Sequence, residues 1–205
     1  AYADWLDFKG LGLTAGDMYK WALDIAASGL QGDVSKIVDL KNGLLKNNSR
    51  DLPSENILRV CTALAVHNAR QADLPTALSL FTSVLKARRS LPLSLDSDTI
   101  PSFPTPPKSN NDPFASLFKS LKNVLIPVEY PAPIPSGNEP PRRTAASACE
   151  EAGLMTYIGE ILYASSSKEA GLAWTRDAVD MAESTMLDLG NSADRNARTR
   201  CAQCL

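Results

Sequence analysis

The chain has 205 residues and a formal net charge of −2; 44% of its residues are hydrophobic and 21% are charged. A chain of this length can bury a substantial core in one or two domains. The near-neutral charge, without a basic patch or stripe, argues against a nucleic-acid-binding protein. The apolar runs are short and interrupted by charges, so we predict no transmembrane helix within the chain.

The N-terminal region, residues 1–90, is predicted to be helical. Its first clear helix covers Thr14–Ser28, with Thr14 as the N-cap, and residues 1–13 before it are amphipathic. Asp33 is expected to cap a second helix that continues to about Leu45. The apolar stripe expected to be buried on the first helix consists of Met18, Trp21, Ala22, Ile25 and Ala26.

Two further helices complete this region. One covers Ser54–Ala69 and begins at Ser54, which follows a proline. The other covers Leu74–Ser90 and carries Pro75 in its first turn, where proline is tolerated because the first N–H groups of a helix lack intrahelical partners.

Residues 91–143 have a different character, because 12 of the 14 prolines fall there. Such a stretch cannot sustain a continuous helix. One island, Asp112–Leu125, has a capping Asp, a proline at its first helical position and a strong apolar face. We interpret the stretch as an insertion whose short helix docks on the body of the protein. The alternative is a partly disordered linker with a nascent helix.

The C-terminal region, residues 144–205, is predicted to contain a helical hairpin. Thr144–Tyr163 and Lys168–Leu189 have apolar residues at helical spacing and are joined by a short serine turn. Gly159, Gly171 and Ala178 are placed where small residues would let the two helices approach closely. One more helix is expected to begin near Asn191.

The spacing of small and aromatic residues resembles that of tetratricopeptide repeats, in which each unit is a pair of antiparallel helices. The residues that carry the resemblance are Ala15, Tyr19 and Ala22, then Ala77, Phe81 and Val84, and finally Gly159, Gly171, Trp174 and Ala178. It implies an all-α, tetratricopeptide-like α-solenoid with a Pro-rich insertion and no sheet. Another α-solenoid or an irregular helical domain is the alternative.

About sixty C-terminal residues resemble a narrower family, the fungal tetratricopeptide adaptors of the mitochondrial inner-membrane i-AAA protease. The resemblance is carried by LMTYIGEILYASSSKEAGLAWTRDAVDMAES and by RTRCAQCL after it. It implies delivery of unfolded or membrane-protein substrates to the protease at the intermembrane-space face of the inner membrane. The membrane anchor of that family is absent from this chain, and we expect it in a preceding part of a longer protein. The alternative is a general scaffold of a cytosolic complex.

No constellation of residues predicts catalysis, a cofactor or a metal ion. Four cysteines are too few for a disulfide scaffold, and Cys201 and Cys204 are interpreted as helix cysteines, since no second pair accompanies them. His67, the single histidine, is expected on a polar helix face without a carboxylate partner. Glu150 and Glu151 are expected to be solvated, as are Asp177, Asp180 and Glu183. A small hydrolase and a structural assembly subunit are therefore less favoured than a protein-binding scaffold.

The concave face of a tetratricopeptide array is lined mainly by the first helix of each pair. We therefore predict that a protein or peptide partner contacts Arg59, Thr62, Val66, Thr156, Glu160 and Tyr163. The mixed, sparse charges suit extended or unfolded segments. Family members that hold the acidic C-terminal tails of large chaperones use a clamp of Lys, Asn and Arg. Only Arg59 suits a carboxylate among the corresponding positions, so this clamp is not expected.

Overall fold

A computed structural model describes residues 2–30, 33–46, 51–92, 136–165, 167–189, 199, 201 and 202. These residues are mostly helical, as expected. The elements are α1 (Tyr2–Phe8), α2 (Gly12–Ser28), α3 (Val34–Ile37), β1 (Val38–Asp39), β2 (Leu44–Leu45), α4 (Glu55–Arg70), α5 (Leu74–Arg89), α6 (Ala145–Ala164) and α7 (Lys168–Leu189). The helix expected over 112–125 lies outside the described residues, as does most of the one expected from Asn191.

Side-chain caps fix the starts of α4, α5 and α6. The Ser54 hydroxyl accepts a hydrogen bond from the Ile57 N–H, and Thr144 forms a capping box at the start of α6. Asp73 caps α5, with proline in the first turn. The predicted positions of α4, α5, α6 and α7 are confirmed to within one residue at each end.

The helix predicted from Asp33 to about Leu45 is wrong, and so is the prediction of no sheet. Asp33 caps a helix of four residues, after which Val38 and Asp39 pair antiparallel with Leu45 and Leu44. The turn between the strands is held by Asp39, whose carboxylate accepts from the Lys41 N–H at 3.0 Å. Local side-chain bonds of this kind compete with helix formation. Gly43 closes the turn at φ +70°, which favours glycine.

The buried face of α2 also differs from the prediction. The helix begins at Gly12, and Thr14 does not cap it. Trp21 and Ile25 are 61% and 54% exposed, whereas the buried residues are Ala15, Tyr19, Leu23, Ala26 and Ala27. The buried row combines small residues, which let neighbouring helices approach, with a tyrosine whose hydroxyl finds a partner. Trp21 and Ile25 are left on an open face.

The main helices pack in chain order. α2 contacts α1 and α4, α4 contacts α5, α5 contacts α6, and α6 contacts α7. Strand β2 of the β1–β2 hairpin packs against α5, where the Leu45 N–H donates to Ser83 Oγ at 3.5 Å. The largest completely buried core residues are Leu23, Ile57, Leu58, Leu80, Phe81 and Val84. The described residues therefore form packed helix pairs around a shared core.

The closest helix contact, between α6 and α7, is made by glycines, as predicted. A methyl group added at Gly171 would lie 2.7 Å from the Gly159 carbonyl oxygen and 2.6 Å from the Tyr163 nitrogen. Ala178 continues the same contact and is completely buried. The two backbones approach so closely that they leave no space for a side chain at Gly171.

The interpretation of Glu150 and Glu151 as solvated residues is wrong. Glu151 is completely buried, and its two carboxylate oxygens accept from Arg143 Nε at 2.8 Å and Arg143 Nη2 at 3.0 Å. Arg88 Nη1 lies 2.6 Å from Glu150 Oε2. Both arginines come from elements other than α6, so helical periodicity within α6 could not reveal the pairs. Asp177, Asp180 and Glu183 are exposed, as predicted.

Cys149 and Cys201 form a disulfide, a pairing that the sequence interpretation missed. The bond joins α6 to a residue 52 positions along the chain, and both cysteines are buried. Closing a loop of that length stabilises a fold by about 4 kcal/mol when only chain entropy is considered. Cys204 lies outside the described residues. Cys61 is a buried free thiol, and burial raises its pKa to about 12, so it is not a ready nucleophile.

Candidate functional site

Three of the residues predicted to bind a partner lie on α4. Arg59 is exposed over 63% of its side chain, and its Nε donates to Glu55 Oε1 at 2.8 Å. Thr62 is half-buried, and its hydroxyl donates to the Leu58 carbonyl at 2.8 Å. Val66 is half-buried and packs against the core. Arg59 is therefore the most accessible of the three.

A concavity of about 260 Å³ brings Arg59 and Thr62 together with α5 and α6. The other lining residues are Arg88, Glu150, Gly153, Leu154 and Tyr157. Arg88 is buried and lies within ion-pair distance of both Glu55, at 3.6 Å, and Glu150, at 2.6 Å. The charges below this concavity are therefore compensated. Tyr157 supplies an aromatic wall and is stacked on Phe81, with ring centroids 5.1 Å apart.

A second concavity, of about 380 Å³, lies between α1, α2 and α4 and is mainly apolar. Its residues are Tyr2, Ala3, Asp4, Met18, Tyr19, Trp21, Ala22, Ile25, Arg59, Val60 and Ala63. Tyr2, Trp21 and Ile25 are each more than half exposed. Contiguous exposed apolar surface of this kind typically marks a site of interaction.

Arg59 lines both concavities, so they meet at its side chain. We call the two concavities together the Arg59 groove. Its apolar side chains come from α1, α2, α4 and α6. A chain lying in the groove would meet aromatic surface on both sides of one exposed cation.

The structure does not bring the predicted residues of α6 into this groove. The Thr156 hydroxyl donates to the Ala152 carbonyl at 3.1 Å. Glu160 is exposed, and Tyr163, 48% exposed, lies at the end of α6 with Lys168 Nζ 5.9 Å from its ring centroid. Neither concavity includes these three predicted residues or Val66.

The groove contains residues that the sequence analysis did not select. In the repeat register predicted from the sequence, Tyr157 and Gly153 of α6 correspond to Ala63 and Arg59 of α4, so that predicted register was a signal that pointed to them. Trp21 and Ile25 were assigned to the buried stripe of α2. The face of α2 that packs against α1 and α4 is a different one, so these two side chains lie in the groove.

The expectation for His67 is wrong, because this residue is buried and paired. It is 6% exposed, and its Nδ1 lies 2.8 Å and 3.0 Å from the two carboxylate oxygens of Asp7. Nearby, the Tyr19 hydroxyl donates to Asp4 Oδ1 at 2.6 Å. That hydrogen bond is the main reason that the pKa of Asp4 is lowered, and burial, followed by the Asp4 carboxylate, raises the pKa of Tyr19. Polar pairs thus attach α1 to α2 and α4.

Within the described part of the chain, no group of three or more His, Cys, Asp or Glu residues is arranged to hold a metal ion. None of the described helices combines the length and hydrophobicity needed to cross a membrane. Comparison of the chain with protein-family models, with curated proteins and with solved structures finds no match. The function is therefore argued from the residues of the groove.

Proposed function

We propose that this chain is a non-enzymatic adaptor that binds extended, unfolded polypeptide segments in the Arg59 groove. The observation that carries the proposal is the combination of exposed Trp21 and Ile25 with a groove floor whose charges are paired. Unfolded segments expose apolar side chains that folded proteins bury, and aromatic residues supply large contact areas at low entropic cost. Arg59 would add hydrogen bonds to backbone carbonyls of the bound segment.

We also propose that α4–α5 and α6–α7 are tetratricopeptide-like units. Ala77, Phe81 and Val84, which carry the repeat spacing on α5, are completely buried. The small residues of the second unit, Gly171 and Ala178, lie in the α6–α7 contact. The packing of successive helices in chain order supports the same interpretation, because repeat arrays are built from contacts between neighbours.

The adaptor is proposed to serve a mitochondrial AAA protease on the intermembrane-space side of the inner membrane. The resemblance of the C-terminal region supports this role, and the Cys149–Cys201 disulfide favours an oxidising compartment over the cytosol. Alkylation of thiols in cells lysed directly into denaturant tests the location, because both cysteines are buried in the folded protein and react only once it is unfolded. We expect Cys149 and Cys201 to be protected until reductant is added. Immediate labelling of both would favour the alternative, a cytosolic scaffold.

Binding of a fluorescently labelled, reduced and carboxymethylated α-lactalbumin, a permanently unfolded polypeptide, tests the groove. The double variant Trp21→Ser/Ile25→Ser removes its exposed apolar surface. We expect the dissociation constant, measured by fluorescence anisotropy, to rise about fivefold or more, which corresponds to losing about 1 kcal/mol at a binding hot spot. The melting temperature should change little because both side chains are largely exposed in the folded protein.

The matched control is Leu172→Ser/Leu187→Ser on α7. These side chains are 59% and 80% exposed, and neither lines the groove. The control should bind the unfolded polypeptide as the wild type does. Equal losses in both double variants would mean that binding reflects general surface hydrophobicity, and the groove would be rejected as the site.

A further inference from the structure

A third and larger cavity, of about 570 Å³, shares no residue with the Arg59 groove. It is formed by the start of α2, the end of α4, the start of α5 and the turn between β1 and β2. Its polar wall is supplied by His67, Lys20, Lys41, Asn68, Gln71 and Ser79. Leu13, Leu44 and Leu64 add apolar contacts. The volume lies within the range of small-molecule sites, which is about 300–1,000 Å³.

His67 lines this cavity, and only one of its two ring nitrogens has a hydrogen-bond partner within the described part of the chain. Its Nδ1 faces the Asp7 carboxylate, which can only accept hydrogen bonds, so Nδ1 carries a proton. The opposite nitrogen, Nε2, makes no hydrogen bond within the described part of the chain. It faces Gly16, another residue of the cavity wall: a methyl group added at Gly16 would lie 3.1 Å from Nε2. In neutral His67, Nε2 is therefore an unused acceptor.

The charges of the cavity wall favour a monoanion. Lys20 and Lys41 are exposed, and neither ammonium group forms an ion pair within the described residues. Asp17 is the single acidic residue among the lining residues. These two cations and one anion give the lining residues other than His67 a net charge of +1. A doubly charged phosphate would be repelled by Asp17, whereas one carboxylate matches the charge.

We propose that this cavity binds a small hydroxycarboxylic acid. Its carboxylate would lie at Lys20 and Lys41, and a hydroxyl group would donate to Nε2 of His67. The Asn68 amide nitrogen already donates to the Leu64 carbonyl, and the Ser79 hydroxyl already donates to the Thr76 carbonyl. Their oxygens can still accept from further hydroxyls of the ligand, and the Gln71 amide is a further partner. Asp7 is a positioning residue: it fixes the ring orientation and the tautomer that leaves Nε2 as the acceptor.

His67 provides its own probe because it is the only histidine of the chain. Gluconate, which carries one carboxylate and several hydroxyl groups, is titrated into the protein at constant ionic strength. The imidazole Cε1–Hε1 resonance is followed by NMR. We expect a saturable shift of this resonance. Sorbitol, which lacks the carboxylate, and hexanoate, which lacks the hydroxyl groups, should each bind about tenfold more weakly or not at all, because each loses a charge-assisted or buried hydrogen bond.

The variant Lys20→Ala/Lys41→Ala keeps the histidine and removes only exposed side chains, so it should fold. It should weaken gluconate binding about tenfold or more. Lys86→Ala/Lys168→Ala changes the net charge equally at exposed positions outside the cavity and should leave binding unchanged. The proposal is overturned if gluconate gives no saturable shift, if sorbitol or hexanoate binds as well as gluconate, or if the two double variants behave alike.

Discussion

The C-terminal helix pair α6–α7 and the N-terminal helix α1 are held in the fold in different ways. α6 and α7 meet through backbone at Gly159 and Gly171, where no side chain fits at the closest point. α1 is held to α2 and α4 by side-chain pairs, Asp4 with Tyr19 and Asp7 with His67. The first contact depends on shape alone, whereas the second depends on partners remaining paired and correctly protonated.

This difference has consequences for function. The α6–α7 contact is made by Gly159, Gly171 and Ala178, and none of these three residues lines the cavities described above. The polar contacts of α1 instead border the two larger cavities: Asp4 and Tyr19 line the Arg59 groove, and His67 lines the third cavity. Buried polar groups must be satisfied, and their geometry is specific. The N-terminal helices are therefore the part of the chain that combines packing with recognition.

The largest loss of stability is expected from a substitution that disrupts the glycine contact between α6 and α7. In Gly171→Ala, the added methyl would meet backbone atoms of Gly159 and Tyr163 at 2.6–2.7 Å. Backbone atoms cannot move away by a change of rotamer, as the end of a long side chain can. The two helices must separate. We expect the free energy of unfolding, measured by guanidinium denaturation, to fall by about 3 kcal/mol, even though alanine favours helix over glycine by about 1 kcal/mol.

Leu172→Ala is the control for this variant. The neighbouring side chain is 59% exposed, so its truncation should change the free energy of unfolding by less than about 0.5 kcal/mol. If Gly171→Ala proves as stable as the wild type, the helices do not approach as closely as the structure describes, and the contrast between the two ends disappears.

The same contrast explains which parts of the fold were predictable from the sequence. The α6–α7 hairpin depends on residues within one continuous stretch of 45 residues, 145–189, and small residues at helical spacing are visible there. The Asp7–His67 pair joins residues 60 positions apart, and helical periodicity carries no information about such a pair. The Arg88–Glu150 pair and the Cys149–Cys201 disulfide were missed for the same reason. The Arg143–Glu151 pair was missed although its residues are close in sequence, because Arg143 precedes α6 and helical periodicity does not extend to it.

The candidate site was predictable only in part. Helical spacing placed Arg59 and Thr62 on one side of α4, and that side lines the groove. It did not place Trp21 and Ile25, since their exposure depends on which face of α2 meets α1 and α4. The prediction for the β1–β2 segment failed for a local reason. The Asp39 side chain and Gly43 stabilise a turn where apolar spacing alone favours a helix.

A smaller effect on stability is expected at the Tyr19–Asp4 pair, and it should depend on pH. Tyr19→Phe removes the hydroxyl that donates to Asp4 at 2.6 Å but keeps the buried ring. We expect a loss of about 1 kcal/mol in the free energy of unfolding at neutral pH, modest because the carboxylate can be hydrated instead. Tyr163→Phe, at a tyrosine that is 48% exposed, should change stability by less than about 0.5 kcal/mol.

The sign of the pH dependence follows from the two pKa shifts. The hydrogen bond from Tyr19 lowers the pKa of Asp4, so its contribution is complete above the unfolded value of about 4 and is lost as the pH falls through the lower folded value. The pKa of Tyr19 is raised, so its contribution is complete below the unfolded value of about 10 and is lost as the pH rises through the higher folded value. The stability difference between wild type and Tyr19→Phe should therefore stay constant from about pH 5 to 9 and shrink towards either extreme. Urea denaturation of both proteins at a series of pH values measures this difference. A difference that did not change on acidification would show that Asp4 does not supply the partner of Tyr19, and that Asp7–His67 is the one polar pair of the two that holds α1.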